Sequence, residues 1–220
     1  MSRLGSFACF GVLLPLALAG CGMGALGQAA VVDEKGAEGA RRGFDRPIAV
    51  GATLRPDVRY SLRGAGAPAI HYEAADESVL EAGDGTIRGK AAGLTSLLLV
   101  TDDGVVVDFF HLWVKEPTSL ALSQLGQDDK AIELGGRVDL MTGESLHLGV
   151  TLRGEGQDLG GEAADSWKLD GRAAALLEEG RSGRRRVVAV EPGRSKLEVR
   201  MLDRIASLEI NVHDSKEKTR

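Results

Sequence analysis

Thiols are almost missing from this 220-residue chain. Its two cysteines, Cys9 and Cys21, lie at the front end. From residue 22 onward no side chain is available for a disulfide, a thiolate metal site or a cysteine nucleophile, so any fold there is held by packing. Aromatics are scarce too: nine in all, of which Phe7 and Phe10 precede residue 20. The four histidines, His71, His111, His147 and His213, are scattered. None has another His, Cys or carboxylate at metal-ligand spacing on a shared strand face, so they read as isolated strand histidines. There is no Gly-x-Ser-x-Gly elbow, no phosphate-binding glycine loop and no zinc-protease helix motif. Asp84, Asp102-Asp103 and Asp128-Asp129 form no EF-hand loop and suit turns better than Ca²⁺. No catalytic residue, metal or cofactor is expected. A net charge of −5 argues against nucleic acid as the main partner.

Glycine, by contrast, is abundant. Thirty glycines in 220 residues are about twice the usual share and punctuate short alternating segments. From Tyr72 to Val100 the chain reads YEAADESVLEAGDGTIRGKAAGLTSLLLV. Val79, Leu80 and Ala82 form a brief apolar run. Gly83-Asp84-Gly85 is a tight turn, since Gly tolerates positive φ and Asp bonds its own backbone. Ile87 and Gly89, then Leu97 and Leu99, alternate with period two. Three short strands with this punctuation predict a sandwich or barrel.

These residues resemble the bacterial immunoglobulin-like domain, group 2. The likeness is carried by Tyr72, Asp76, Ser78, Val79, Gly85, Ile87, Gly89, Gly93, Leu97 and Leu99 and covers residues 45–115. The family more often has Trp at the place of Tyr72, and Ala-x-Val where Leu80 and Ala82 stand. The resemblance implies an adhesion, scaffold or surface-display module with a binding or spacer role and no active site.

The pattern returns. Gly143-Glu144-Ser145-Leu146 followed by Val150 repeats Gly51-Ala52-Thr53-Leu54 followed by Val58. Val190-Glu191-Pro192-Gly193 with Leu197 and Val199 repeats Ala91-Ala92-Gly93 with Leu97 and Leu99. Leu208, Ile210 and Val212 match Phe110, Leu112 and Val114, and Trp167 takes the place of Tyr72. An internal repeat argues for two like domains, with the Asp-x-Ser-Val corner missing from the second copy. Residues 172–179, RAAALLEE, have helix propensity, but the repeat requires a strand around Ala174 to Leu177. The expected class is therefore all-β, with two tandem immunoglobulin-like β-sandwiches after a signal peptide and flexible linker. The first spans 45–115, the second and more divergent one 116–213, and 214–220 is a charged tail.

The front end reads as an address. Arg3 precedes an apolar run from Phe7 to Ala19, too short to span a bilayer comfortably and interrupted by Pro15. It ends in Leu18-Ala19-Gly20-Cys21, which resembles the bacterial lipobox. That resemblance implies removal of residues 1–20 and acylation of Cys21. Each buried methylene adds about 0.8 kcal/mol, so several chains anchor firmly. The residue after Cys21 is Gly22, not the Asp that retains such proteins at the inner membrane, so the resemblance points to the outer membrane or surface. Residues 21–44 are then the lipidated end and a Gly- and Ala-rich tether, with Arg41-Arg42 read as solvated charges.

The strand Val105 to Val114 sorts into one face with Val105, Val107, Phe109, His111 and Trp113, and another with Val106, Phe110, Leu112 and Val114. Both are largely apolar, which predicts cover on both sides from a second module or a partner. Trp113 and Trp167 read as buried sandwich aromatics, neither having a neighbouring aromatic. The run Arg181-Ser182-Gly183-Arg184-Arg185-Arg186 reads as a basic hairpin tip that keeps a strand edge soluble. Docking an anionic polymer is its functional alternative. The composite expectation is a non-enzymatic envelope lipoprotein for adhesion, scaffolding or binding of a protein or cell-wall polymer. The alternative is a carbohydrate-binding lipoprotein for peptidoglycan or exopolysaccharide, which requires an exposed aromatic.

Overall fold

The structure, a computed structural model, describes residues 27–32, 44–62, 69–83, 85–126, 130–180 and 182–214. The lipobox with Cys21, the signal segment, Asp84, Asp128, Asp129, Arg181 and most of the charged tail lie outside them. Among the described residues there are nineteen strands and no α-helix.

The first sandwich is built from β1 (Gly27–Val32), β2 (Ile48–Ala49), β3 (Thr53–Leu54), β4 (Asp57–Leu62), β5 (Ile70–Ala74), β6 (Leu80–Gly83), β7 (Thr86–Gly89), β8 (Gly93–Thr101) and β9 (Val106–Lys115). One sheet runs β2-β9-β8-β5. The other side is β3-β7-β6 together with the β1-β4 pair. The second sandwich uses β10 (Ser119–Leu125), β11 (Ala131–Glu133), β12 (Arg137–Met141), β13 (Ser145–Gly154), β14 (Gln157–Asp158), β15 (Asp165–Asp170), β16 (Ala174–Glu178), β17 (Arg184–Ala189), β18 (Gly193–Met201) and β19 (Arg204–His213). Its sheets run β11-β10-β13-β17-β16 and β12-β19-β18-β15, with β14 against the end of β13.

Lettered in chain order, β10, β13, β16 and β17 are strands A, B, D and E, while β15, β18 and β19 are C, F and G. An A-B-E-D sheet facing a C-F-G sheet is the constant-type immunoglobulin division. In the first sandwich β1 and β4 stand for A and B, and β3-β7-β6 continue B, E and D. Its B strand is split between β3 and β4 at Pro56, which has no N–H to give to a ladder. The chain is thus all-β, with two tandem immunoglobulin-like sandwiches.

The repeat holds in register. Leu54 lies opposite Ile87 as Leu146 lies opposite Val187. Gly93 pairs with Val114 as Gly193 pairs with Val212, and Leu97 with Phe110 as Leu197 with Leu208. In both copies a short strand joins the last one in parallel, β2 on β9 and β12 on β19. The helix-prone residues Ala174–Glu178 are strand β16, paired to β17. A local propensity worth tenths of a kcal/mol per residue yields here to a full edge of ladder hydrogen bonds.

Three expectations need correction. Within the tether of 21–44, Gly27–Val32 is strand β1, antiparallel to β4 from Gly27↔Leu62 to Val32↔Asp57. It is the counterpart of β10, which pairs with β13. Second, the two faces of β9 do not alternate throughout. Leu99 lies opposite Asp108 but Val100 opposite Val106, so Val107 is an extra, bulged residue. The bulge resets the pleat, and Val107 turns inward beside Phe110, Leu112 and Val114. Third, the outer face of β9 is not covered, as described below.

Each sandwich has its own core. Leu80, Ile87, Leu97, Leu99, Leu112 and Val114 fill the first, and Leu148, Leu197, Leu208 and Ile210 the second, all essentially inaccessible. Each such side chain contributes about 1.5–3 kcal/mol by leaving water. Gly89 has a packing reason: a Cβ there would sit 2.7 Å from the Ala49 carbonyl oxygen and 2.8 Å from Val114.

The sandwiches are also joined. Ala49 and Ala52, from the β2–β3 corner of the first, are fully buried in the core of the second. Gly160 donates to Pro47 O (2.7 Å) and accepts from Ala49 N (3.0 Å). Thr53 and Glu162 exchange both backbone bonds, at 2.8 and 2.7 Å. The Leu202-Asp203 turn closing β18–β19 has φ of 45° and 59°, costly for Leu. It holds Leu202 against Gly51, where an added Cβ would meet Leu202 at 3.0 Å.

Candidate interaction surface

The outer face of β8 and β9 in the first sandwich is unusually apolar. Phe109 and Trp113 are each 53% exposed and Leu94 51%. Leu94 lies opposite Trp113, Ser96 opposite His111, and Leu98 opposite Phe109. Phe109 and His111 touch edge to face, with ring centroids 5.2 Å apart. His111, an exposed residue, has its Nδ1 2.9 Å from Ser96 Oγ.

The second sandwich supplies an internal comparison. Its matching pairs are Arg194 with Asn211, Lys196 with Glu209, and Glu198 with Ser207. At the same places on the same sheet it thus has charged, hydroxyl and amide side chains, the amide of Asn211 being buried. The fold needs no apolar group there, so Leu94, Phe109 and Trp113 are not required by the architecture.

Segment 44–47 turns this face into a groove. Phe44 packs against Phe110 with centroids 5.1 Å apart and stands beside β9. A cavity of about 460 Å³ lies between Phe44-Asp45 and Asp108-Phe109-Phe110-His111. It continues into one of about 250 Å³ that reaches Arg46, Trp113, Lys115 and Gln157. The shared members Phe44, Asp45 and His111 make the two one trough along β9. Lys115 Nζ lies 6.0 Å from the Trp113 ring centroid and pairs with Glu155.

Trp113, read from the sequence as buried and without an aromatic neighbour, is therefore exposed and in line with His111 and Phe109. Phe109, His111 and Trp113 share the outward side of β9, opposite the buried Phe110, Leu112 and Val114, and that side is left uncovered. Trp167 differs. It is half-buried against the second core, donates its indole N–H to Asp165 and has the Arg185 guanidinium 5.6 Å from its ring centroid.

The basic run lies mostly in a strand. Arg184, Arg185 and Arg186 belong to β17, and Arg185 faces Trp167 and Glu178, the latter at 3.8 Å. Three histidines do have a carboxylate beside them: His71 with Glu73 (3.0 Å), His147 with Glu179 (2.6 Å) and His213 with Asp139 (3.3 Å). Two of these contacts cross between strands, and the third spans two residues on one exposed edge. Among the described residues no three His, Cys, Asp or Glu groups converge to hold a metal. Asp102 and Asp103 sit in the β8–β9 turn, where Asp103 accepts from Thr101 Oγ1. Asp76 accepts from Ser78 N (2.9 Å) and Ser78 Oγ (2.6 Å), and these bonds hold its carboxyl below the usual range. Bonds from His213, Arg137 and Asn211 do the same for Asp139.

No family model and no curated protein matches the chain. Solved structures resemble it in outline only. Domains 4–9 of the surface layer protein SbsC are 13% identical over 86% of this chain, with a TM-score of 0.36; the chain spans 30% of that molecule's length. The fibronectin(III)-like modules of Clostridium thermocellum CbhA are 14% identical over 88% of this chain and 98% of theirs, TM-score 0.29. The D00-D0 domain of intimin is 9% identical over 84% of this chain and 97% of its own, TM-score 0.28. The immunoglobulin-like assignment rests on strand order and register.

Proposed function

We propose that this chain is a non-enzymatic cell-envelope lipoprotein whose paired immunoglobulin-like modules serve adhesion, scaffolding or binding. Cys21 is the acylated residue, six positions before β1 of the first module. The first module bears the contact surface. The observation that supports this is the contrast between Leu94, Phe109 and Trp113 and their counterparts Arg194, Ser207 and Asn211. Large exposed apolar groups cost solubility, and contiguous patches of them mark interaction sites. Trp and Phe are also the residues that dominate interface energetics.

The test is site-specific photo-crosslinking in cells. A photoreactive phenylalanine analogue replaces Leu94 in one strain and Arg194 in another. Covalent capture of an envelope component from position 94 and not from 194 is the expected result. Equal capture from both, or none from either, removes the first module's face as the contact surface.

A further inference from the structure

We infer that the trough along β9 is a binding site for an extended, uncharged glycan chain. This rests on the reading of the same face as the contact surface and names what it takes. Three features of the trough lead to it.

The first is its floor. Phe109, His111 and Trp113 alternate on one side of a strand, so their Cα atoms recur about every 6.7 Å, twice the rise per residue, and the Phe109 and His111 rings meet edge to face at 5.2 Å. That is a row of rings along one strand, with Leu94 and Leu98 of β8 on its far side. A protein partner of ordinary size covers about 800 Å² on each side and seats best on a broad patch. Here segment 44–47 rises beside the row and leaves room for a narrow chain. A glycan in extended form is such a chain, and the apolar faces of its rings stack on aromatic planes.

The second is the polar rim. Asp45, Asp108 and Gln157 border the rings, and the exposed His111 has its Nδ1 engaged by Ser96. Aromatic lining with a few placed donors and acceptors is the make-up of a small-molecule site, and it matches ring faces edged by hydroxyls.

The third is charge. The carboxylates of Asp45, Asp108 and Glu155 stand with the cations of Arg46 and Lys115, the last paired with Glu155, so both signs are interspersed with one negative charge in excess. The trough therefore has no field of one sign to select an anionic polymer.

The test uses the full mature chain and the N-acetylglucosamine tetramer, with cellotetraose and maltotetraose as further neutral probes. Binding is followed by calorimetry and, in a Trp167→Phe background, by emission of Trp113. Saturable binding of at least one tetramer is expected. Phe109→Ser and Trp113→Asn should each weaken it tenfold or more, whereas Ser207→Ala on the second module leaves it unchanged. The two trough substitutions install residues that the second module carries at the same places, so the sheet accommodates them; far-ultraviolet circular dichroism checks this.

Absence of binding to all three tetramers, or binding that survives both trough substitutions, overturns the inference. If position 94 still cross-links a protein in cells, the wider reading stands and the occupant is a protein. If that capture is lost as well, both fall.

Discussion

Tyr72 and Trp167 occupy one and the same place in the two modules. Tyr72 lies across the ladder from Leu99, and Trp167 across from Val199. Each is partly buried and ties its polar tip close by. Tyr72 donates to Pro56 O at 3.2 Å, and the Trp167 indole donates to Asp165. They are plugs at one edge of each core. Trp167→Ala should cost roughly 2–4 kcal/mol, below the range for a fully buried Trp because the ring is only half covered. Tyr72→Phe removes one hydrogen bond and should cost about 1 kcal/mol. Urea unfolding of residues 22–220, with the slope checked for constancy, measures both.

The joint makes a different prediction. Ala52 belongs to the β2–β3 corner of the first sandwich, yet it is buried in the second core. A Cβ at Gly161 would lie 2.8 Å from Ala52 Cβ, so there is no spare room. Ala52→Leu should overpack the joint by about 1–3 kcal/mol. The second module should feel it although the substitution lies outside its own strands. Trp167 fluorescence in a Trp113→Phe background reports that module, and an unchanged Trp167 midpoint would contradict the shared core.

The Asp76 corner sets a pH dependence. Its carboxyl is held low by the two bonds from Ser78. A carboxyl with a depressed folded pKa adds stability that is present above its unfolded value, near 3.9, and lost as pH falls through the folded value. Ser78→Ala removes the hydroxyl bond while keeping the one from its own backbone N–H. The Asp76 titration midpoint, followed by carboxyl NMR, should move upward but stop short of the ordinary value. No movement would mean that the hydroxyl contact does not form in solution.

The anchor is tested at Cys21. Cys21→Ser should move the protein from the membrane fraction to the soluble one, and the intact mass of the wild-type chain should include acyl groups on a chain that starts at Cys21. A wild-type mass with residues 1–20 retained would exclude the lipobox reading.

Much of the fold was legible in the residues. Glycine punctuation, period-two alternation and the internal repeat located the β8–β9 and β18–β19 hairpins, and even matched Leu97 with Leu197 and Val114 with Val212. What escaped has a common cause. β1 has only a six-residue run, Gly27–Val32, in a segment of tether-like composition, and its strand character comes from the β4 ladder 25–35 residues away. Val107 faces inward because of a bulge set by the partner strand. Trp113 keeps the face expected for it, with Phe109 and His111, but that face is exposed instead of covered.

The order of short alternating segments, their doubling and the lack of any thiol after Cys21 were decided by the chain's own residues, since each is a local or periodic property. Which aromatic meets solvent, and how a corner of one sandwich closes the core of the other, were decided only by tertiary structure. Both depend on how segments far apart in sequence pack together, where a face left uncovered or one close backbone approach decides what is buried.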